Sequence, residues 1–285
     1  MAMGAQGVEF AEGPAVRMAL AIATAELRDA GCDTPRLDAE LLLADAMGTT
    51  RTQLHLAPDR ELTRAESDRF AELLRRRRAR EPVAYLLGKR AFRYIELTID
   101  SRVLVPRPES EGLVETGLTL PQGARVVDVG TGSGAIALAL KHERPDLEVL
   151  GADVSPDALE VARANARALG LDVTFVQSDL LDGVDGEIDA VLSNPPYVAK
   201  RDLPTLQPEV TAEPDVAVFG GFDGFEVVRR LVPAAVRRAP LVAIEVGMGM
   251  AQTVGGMLRD AGAATVEVQR DLAGIERVVV GRRPA

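Results

Sequence analysis

Ser193-Asn194-Pro195-Pro196-Tyr197 follows the apolar run Ile188-Asp189-Ala190-Val191-Leu192, which has the length and composition of a buried strand. Two consecutive prolines end that strand, because proline has no N–H to donate to a sheet. The residue before a proline is held extended, so we expect Asn194 in a stiff backbone at the carboxyl end of the strand. Ligands of open α/β folds bind at that edge. The side-chain oxygen of Asn194 and the carbonyl of Pro195 would form two acceptors suited to a planar –NH₂ group.

Strands and helices alternate around this stretch, from Pro121 to the end of the chain. Such alternation predicts βαβ units and a mainly parallel sheet. We therefore expect one complete layered α/β domain with seven strands. The predicted strands are residues 125–129, 149–153, 173–177, 188–193, 241–246, 265–269 and 277–280.

The residues before this domain have other periodicities. Apolar residues at helical spacing over 14–88 predict a small helical bundle, which we assign to residues 1–88. Ile95, Leu97 and Ile99 then alternate with polar residues, and Val103-Leu104-Val105 follows a turn signal. This pattern predicts a β-hairpin, and we assign a hairpin linker to residues 89–108. The α/β domain takes the remaining residues, 109–285.

Composition and charge exclude several classes of protein. With 47% hydrophobic and 27% charged residues and a formal net charge of −10, the chain is typical of a globular protein. Nucleic-acid binding usually shows a basic footprint, so we expect no stable nucleic-acid partner. The basic run Arg75–Arg80 is interpreted as a solvated last helical turn, favoured by the helix dipole.

Cysteine, histidine and hydropathy patterns indicate the compartment. A single cysteine allows no internal disulfide, and two distant histidines with that cysteine exclude a Cys/His metal site. No apolar run approaches the roughly 20 residues of a membrane span. Residues 1–10 show no basic segment before an apolar core, which argues against a signal peptide. We therefore predict a cytoplasmic protein with no membrane contact and no metal among its site residues, although the sequence leaves carboxylate-only ion binding open. We also expect a monomer.

A glycine-rich turn follows the first predicted strand of the α/β domain. In Asp128-Val129-Gly130-Thr131-Gly132-Ser133-Gly134, the glycines allow a sharp turn and a close approach to a ligand at a helix N-terminus. The spacing from Gly130 to Ala135 also fits a dinucleotide fingerprint, so a nicotinamide cofactor stays open. Asp128, however, suits a positively charged cofactor group, such as a methionine amino group, better than a pyrophosphate.

Acidic residues also end the second and third strands. Asp153 can accept two hydroxyl hydrogen bonds from a ribose with either type of cofactor. Asp179 and Leu180 after the third strand would supply a carboxylate and an apolar wall for an adenine. Each acid taken singly is also explained as a helix cap or a solvated loop. Three strand ends that carry them together favour a ligand site.

These residues resemble S-adenosylmethionine-dependent methyltransferases, and more narrowly the HemK/PrmC family of protein-(glutamine-N5) methyltransferases, which modify peptide chain release factors. Similarity extends from about residue 80 to the end of the chain, and Ser110 stands where the family more often has threonine. The matching stretches are Glu81–Gly88, Val105–Glu111, Asp128–Ala135, Ser193–Tyr197, Glu213-Pro214, Gly220–Gly224 and Arg270–Arg277.

The resemblance implies a seven-stranded Rossmann-like class I methyltransferase domain, preceded by the helical bundle and the hairpin linker. It implies S-adenosyl-L-methionine as cofactor and S-adenosyl-L-homocysteine as product. The substrate would be the glutamine of the Gly-Gly-Gln loop of class-one release factors, with the helical domain recognising or supporting that partner. The implied cofactor-binding residues are Asp128, Gly130, Thr131, Gly132, Ser133, Gly134, Asp153, Asp179, Leu180 and Asn194.

The resemblance also assigns the substrate site. Asn194, Pro195, Pro196 and Tyr197 would bind the glutamine side chain, with Arg107 beside them. Catalysis would rest on Asn194, Pro195 and Tyr197, through the two acceptors and an aromatic stack on the flat amide. The principal alternative is an adenine-N6 methyltransferase acting on nucleic acid, where the same strand end would hold an exocyclic amine.

Overall fold

The fold was analysed in a computed structural model that describes residues 13–284. This part of the chain divides between Gly88 and Lys89 into two compact units. Residues 1–10, on which the argument against a signal peptide rests, lie outside the described residues. No helix within residues 13–284 combines the length and the apolar character that crossing a membrane requires.

The first unit is helical and closes around its own apolar core. Phe70 and Leu74 of one helix pack in a cluster with Leu27 and Leu42 of two others. Thr63 caps the fourth helix through a reciprocal capping box with Glu66. Its helices are α1 (Val16–Asp29), α2 (Pro35–Ala46), α3 (Arg51–Leu56), α4 (Arg64–Arg78) and α5 (Val83–Leu87).

The basic run at the end of α4 is paired with acids of the same unit. Arg77 is buried and its Nε lies 2.8 Å from Asp38 Oδ2. Arg75 pairs with Glu72 and Arg76 with Glu81, at 2.6 and 2.5 Å. Four consecutive arginines lie in the last turn of a helix, as predicted, where the dipole favours positive charge. The interpretation of this turn as solvated was wrong for Arg77, which is buried in its pair with Asp38.

The second unit opens with an antiparallel hairpin whose first strand differs from the prediction. Strand β1 (Lys89–Phe92) pairs with β2 (Ile95–Thr98). The prediction that Val103–Val105 forms one arm was wrong. That segment has no strand partner, and the Val105 N–H instead donates to Glu213 Oε1 at 3.2 Å. The turn at Arg93-Tyr94 has neither glycine nor asparagine, and Arg93 has a φ of 49°, so the usual sequence signal of a tight hairpin is missing.

A seven-stranded sheet forms the centre of the second unit, as predicted. Its spatial order is β5-β4-β3-β6-β7-β9-β8; the first five in this order run parallel, and β9 is antiparallel to β7 and β8. The strands are β3 (Arg125–Val129), β4 (Glu148–Asp153), β5 (Thr174–Gln177), β6 (Ala190–Ser193), β7 (Leu241–Glu245), β8 (Thr265–Arg270) and β9 (Glu276–Arg282).

Helices cover both faces of this sheet, which explains why its central strands are apolar throughout. On one face Val191 of β6 belongs to a core cluster with Leu231 and Val254. The next residue, Leu192, lies on the other face against the helix that contains Gly117. The helices are α6 (Glu111–Leu118), α7 (Ala135–Glu143), α8 (Pro156–Leu169), α9 (Pro208–Thr211), α10 (Asp215–Val218), α11 (Glu226–Arg238) and α12 (Ala251–Asp260), with 3₁₀ turns at Pro108–Ser110 and Lys200–Thr205.

The strand order places the ligand edge of the sheet. The chain proceeds outward from β3 to β4 and β5, then returns to add β6 on the other side of β3. Loops after β3 and β6 therefore diverge and leave a crevice between them at their carboxyl ends. Both the glycine-rich turn and Asn194 lie at this switch point.

Candidate active site

A cavity of about 320 Å³ opens at the switch point. It is lined by residues at the carboxyl ends of β3, β4, β5 and β6, by residues 102–104, and by residues of α8, α10 and α11. The residues that line it are Arg102, Val103, Leu104, Val129, Gly130, Gly132, Asp153, Val154, Ser155, Ala158, Ser178, Asp179, Leu180, Ser193, Asn194, Pro195, Pro196, Val216, Ala217, Val227, Arg230 and Leu231.

The glycine-rich turn forms the floor of the cavity. Gly130 and Gly132 line it and have positive φ values of 74° and 54°. No atom lies within 4 Å of the position that a Cβ of Gly132 would take, so the backbone is open to a ligand there. Thr131 and Ser133 are buried beneath the turn, and Gly134 packs against Leu138. Of the five predicted residues of this turn, two face the cavity and three shape the loop.

Asp128 lies below the same turn, with 1% of its surface exposed. Its Oδ2 accepts a hydrogen bond from Thr131 Oγ1 at 2.7 Å and one from the Ala137 N–H at 3.3 Å. Its Oδ1 is buried, with no hydrogen-bond partner within residues 13–284. Burial raises the pKa of this carboxyl to about 7. Asp128 is not among the residues that line the cavity, so the structure places this predicted cofactor-binding carboxylate beneath the turn and not at the cavity wall.

The raised pKa of Asp128 predicts how its substitution changes stability with pH. The folded protein binds this proton more tightly than the unfolded chain, whose carboxyl has the usual pKa of 3.8. The destabilising contribution is therefore absent below a pH of about 4 and is fully present above about 7. Asp128→Asn removes the buried charge, so we expect its gain in Tm over the unsubstituted protein to be larger at pH 8 than at pH 5.

The Tm comparison also has an internal control. Asp182→Asn removes an exposed carboxylate from the loop after β5, and we expect its Tm difference to be nearly the same at both pH values. Groups that do not interact with Asp128 contribute equally in both proteins, so their contributions cancel in the difference. A Tm gain for Asp128→Asn that does not change with pH would contradict the buried-charge explanation.

Asp153 ends β4 and faces the cavity. Its Oδ2 accepts the Gly132 N–H and its Oδ1 accepts the Ser155 N–H, both at 2.9 Å. These bonds fix the carboxylate relative to the glycine-rich turn and to the start of α8. Burial raises its pKa, and the backbone N–H donors oppose that rise. Each oxygen keeps a lone pair for a further donor.

Asp179 and Leu180 also line the cavity, after β5, the strand next to β4. Leu180 has a φ of 55°, a left-handed conformation that turns the chain sharply. The Asp179 carboxylate is exposed and pairs with Arg230 of α11 at 2.6 Å. The Leu180 side chain therefore lines the cavity beside the exposed ion pair between Asp179 and Arg230.

The stretch after β6 brings three of its predicted residues, Asn194, Pro195 and Pro196, to the cavity. Asn194 donates through Nδ2 to Ser110 Oγ at 3.1 Å. Tyr197 is not among the lining residues. Its ring lies beside Gly247, where an added Cβ would come within 3.1 Å of a ring carbon. Burial, with the nearby charge of Glu245, raises the pKa of Tyr197 to about 12, so the phenol is neutral.

Gly224 holds the backbone of this stretch in place. It has a φ of 83°, and a Cβ there would overlap the carbonyl oxygen of Tyr197. We expect Gly224→Ala to displace Tyr197, to lower Tm, and to lower turnover at this site about tenfold or more, since small misplacements cost that much in rate. Gly249→Ala is the matched control, because Gly249 has a φ of 82° with no atom near its Cβ position. If Gly224→Ala and Gly249→Ala lost equal activity, the overlap with the Tyr197 carbonyl could not be the cause.

Arg107 is a half-buried residue that does not line the cavity. Its guanidinium donates to Glu213 Oε2 at 2.6 Å. Glu213 is buried, and its Oε1 accepts the Val105 N–H. Burial raises the pKa of Glu213, and the charge of Arg107 opposes that shift. The pair anchors the Pro106–Pro108 loop to the segment before α10.

Two residues of the site were missed by sequence reasoning. Ser110 and Glu245 are buried, and Ser110 Oγ donates to Glu245 Oε2 at 2.6 Å. A signal was present for Glu245, because it is the one acidic residue in the run Leu241–Val246. A carboxylate at the carboxyl end of a fully buried strand needs a partner. Within residues 13–284, no cluster of three or more His, Cys, Asp or Glu side chains is arranged to hold a metal ion.

Comparison with known proteins places this chain among methyltransferases. Residues 18–88 match the family described as PrmC N-terminal domain, and residues 108–211 match the methyltransferase small domain. A methyltransferase structure from Pyrococcus furiosus has the same fold, with a TM-score of 0.53 and 18% identity. That alignment covers 66% of this chain and 89% of the other.

Curated relatives align over nearly the full chain. A release factor glutamine methyltransferase from Deinococcus radiodurans is 42% identical, covering 94% of this chain and 98% of its own. A protein of the same name from Rhodospirillum rubrum is 41% identical, covering 91% of this chain and 82% of its own. The resemblance inferred from the sequence motifs is confirmed. This chain belongs to the release factor glutamine methyltransferase family.

Proposed function

We propose that this protein transfers a methyl group from S-adenosyl-L-methionine to the side-chain amide nitrogen of a release-factor glutamine, in a Gly-Gly-Gln loop. The observation that carries the proposal is the position of Asn194. Asn194 and Pro195 line the same cavity as Gly130 and Gly132 of the open glycine-rich turn. This arrangement puts acceptors for an –NH₂ group beside a site for the methyl donor.

The described residues fit S-adenosyl-L-methionine in three respects. The open backbone at Gly132 can accept close contact. Asp128, beneath the turn, would supply negative charge near the ammonium group, and Asp153, which lines the cavity, would bind the ribose diol. Asp179 and Leu180 would border the adenine. When bound, the cofactor supplies a methyl group on a positively charged sulfur and leaves as S-adenosyl-L-homocysteine.

Asn194 and Pro195 would activate the substrate through its two amide hydrogens. An amide nitrogen is a weak nucleophile, because its lone pair is delocalised into the carbonyl. Asn194 Oδ1 and the Pro195 carbonyl accept the two N–H groups, which holds the lone pair toward the methyl group and favours pyramidal nitrogen in the transition state. No strong base is required, since the surplus proton can leave to water after the N–C bond forms.

Tyr197 and Arg107 would complete the substrate site. The neutral Tyr197 ring, fixed beside Gly247, limits the orientations of the flat amide. Arg107, held by Glu213, keeps the Pro106–Pro108 loop in position at the substrate side. Pro196 stiffens the backbone that presents both acceptors.

We assign recognition or support of the release factor to the helical domain, residues 1–88. Residues 89–108 form the hairpin linker, and residues 109–285 form the methyltransferase domain. We further propose that the protein acts as a monomer without a stable nucleic-acid partner, in keeping with its net charge of −10.

A labelled-methyl assay separates the glutamine substrate from the adenine alternative. Purified protein is incubated with labelled S-adenosyl-L-methionine and, in separate reactions, with unmodified release factor, DNA or tRNA. We expect label only in the release factor. Label in nucleic acid and none in protein would replace this proposal with adenine-N6 methylation.

A further inference from the structure

A buried chain of hydrogen bonds ends at Asn194. Asn194 Nδ2 lies 3.1 Å from Ser110 Oγ, and Ser110 Oγ lies 2.6 Å from Glu245 Oε2. Ser110 is 3% exposed and Glu245 is 1% exposed, so water does not compete for these bonds. The three residues come from the loop before α6 and from the ends of the adjacent strands β6 and β7.

The direction of each bond follows from the number of protons available. A hydroxyl carries one hydrogen, and a carboxylate can only accept. Ser110 must therefore donate to the Glu245 carboxylate, which leaves only its lone pairs for Asn194. Asn194 is then obliged to present its –NH₂ end to Ser110. Its oxygen, which accepts no hydrogen bond from residues 13–284, stays available to a ligand.

We propose that Ser110 and Glu245 are positioning residues, which hold the Asn194 carboxamide in the one orientation that offers its oxygen to the substrate –NH₂ group. This inference rests on the proposed function, because it assigns a purpose to the orientation of Asn194. The two ends of a carboxamide have nearly the same shape, so packing alone does not distinguish them. If the Asn194 carboxamide were reversed, its –NH₂ group would face the –NH₂ group of the substrate, and two donors cannot form a hydrogen bond.

The charge state of Glu245 sets the direction of the whole chain. A protonated Glu245 can donate to Ser110, which then offers its own hydrogen to Asn194 and favours the reversed carboxamide. Burial raises the pKa of Glu245 to about 7. Glu109 also raises this pKa, Arg277 and Arg107 lower it, and the Tyr197 phenol lies within reach of the same charge. Turnover should therefore fall as the pH decreases through about 7.

The first test compares Ser110→Ala with Ser110→Thr, which keeps the hydroxyl. We expect Ser110→Ala to lower kcat about 10- to 100-fold, the scale of a hydrogen bond to a charged group. The Kd for S-adenosyl-L-methionine should change little, whereas the Tm should fall because the buried Glu245 carboxylate loses its partner. Ser110→Thr should restore most of the kcat and of the Tm. Ser67→Ala, which removes a buried hydroxyl in the first unit, should keep normal turnover. Normal kcat in Ser110→Ala would overturn the inference.

A double-substitution cycle shows whether Ser110 acts through Asn194. In an Asn194→Ala background, Ser110→Ala should cause no further loss of kcat, because the group it positions is already absent. Independent, multiplicative losses would assign Ser110 a structural role instead.

Glu245→Gln supplies a second variant if Ser110→Ala folds poorly. It keeps an acceptor of the same shape, and we expect a lower kcat without the decrease near pH 7. If Glu245→Gln kept the same dependence of kcat on pH as the unsubstituted protein, the proposed role of Glu245 would be refuted.

The inference and the proposed function fail in different ways. If the unsubstituted protein does not methylate release factors, the proposed function is wrong whatever the variants do. The orientation of Asn194 can still be followed by NMR of its side-chain –NH₂ group. We expect slow hydrogen exchange in the unsubstituted protein and fast exchange in Ser110→Ala. Equal exchange rates in the two proteins would contradict the positioning role.

Discussion

Asn194→Ala is expected to lower kcat by ~10²–10³, the scale of losing one preorganised polar group at a reacting centre. The variant removes the carboxamide oxygen that would accept a substrate N–H, while the Pro195 carbonyl remains. Steady-state kinetics with release factor as substrate measures the change. Tm should be nearly unchanged, because the side chain makes its one hydrogen bond to Ser110 at the edge of the cavity.

A control for Asn194→Ala is Gln177→Ala. Gln177 also carries a carboxamide at the carboxyl end of a parallel strand, where Nε2 donates to the exposed Val154 carbonyl at 3.3 Å. It does not line the cavity. We expect its kcat to stay within about twofold of normal, as for surface substitutions in general. Near-normal turnover in Asn194→Ala would remove Asn194 from the reaction.

Asp153→Ala is expected to weaken S-adenosyl-L-methionine binding about 100-fold or more. Two hydrogen bonds from hydroxyls to a charged group are lost together, each of which contributes about 1.5 kcal/mol or more. The variant also frees the Gly132 and Ser155 N–H groups that now hold the glycine-rich turn. Isothermal titration of the purified protein with the cofactor measures the Kd directly, without release factor.

The matched change is Asp182→Ala, which removes an exposed carboxylate from the neighbouring loop. It tests whether loss of negative charge alone weakens binding of a cationic cofactor. We expect a Kd close to that of the unsubstituted protein, since exposed charges are screened by salt. Equal losses in the two variants would assign the effect of Asp153 to charge rather than to contact.

Local sequence signals predicted the sheet well, because the ends of several strands are marked by residues that stop a strand or turn the chain. Two prolines end β6, glycines follow β3, and Asp153 ends β4. These markers act over a few residues, so the chain alone indicates where strands stop. The parallel order then brings the markers to one edge by topology. The cavity is therefore lined by Gly130, Asp153 and Asn194, as expected from the pattern.

Contacts between distant residues were not accessible to the same reasoning. Val105 reads as a strand residue, yet its N–H donates to Glu213, 108 positions away. Ser110 and Glu245 meet across 135 positions, and neither forms part of a local motif that predicts the pairing. Such pairings follow from the folded sheet.

The central claim is tested most directly by locating the transferred methyl group. Unmodified release factor, and a copy whose Gly-Gly-Gln glutamine is changed to alanine, are each incubated with the protein and S-adenosyl-L-methionine and digested for mass spectrometry. We predict one added methyl group, on that glutamine side chain, in the normal factor and none in the changed copy. A methyl group at any other residue, or equal modification of both copies, would contradict the account.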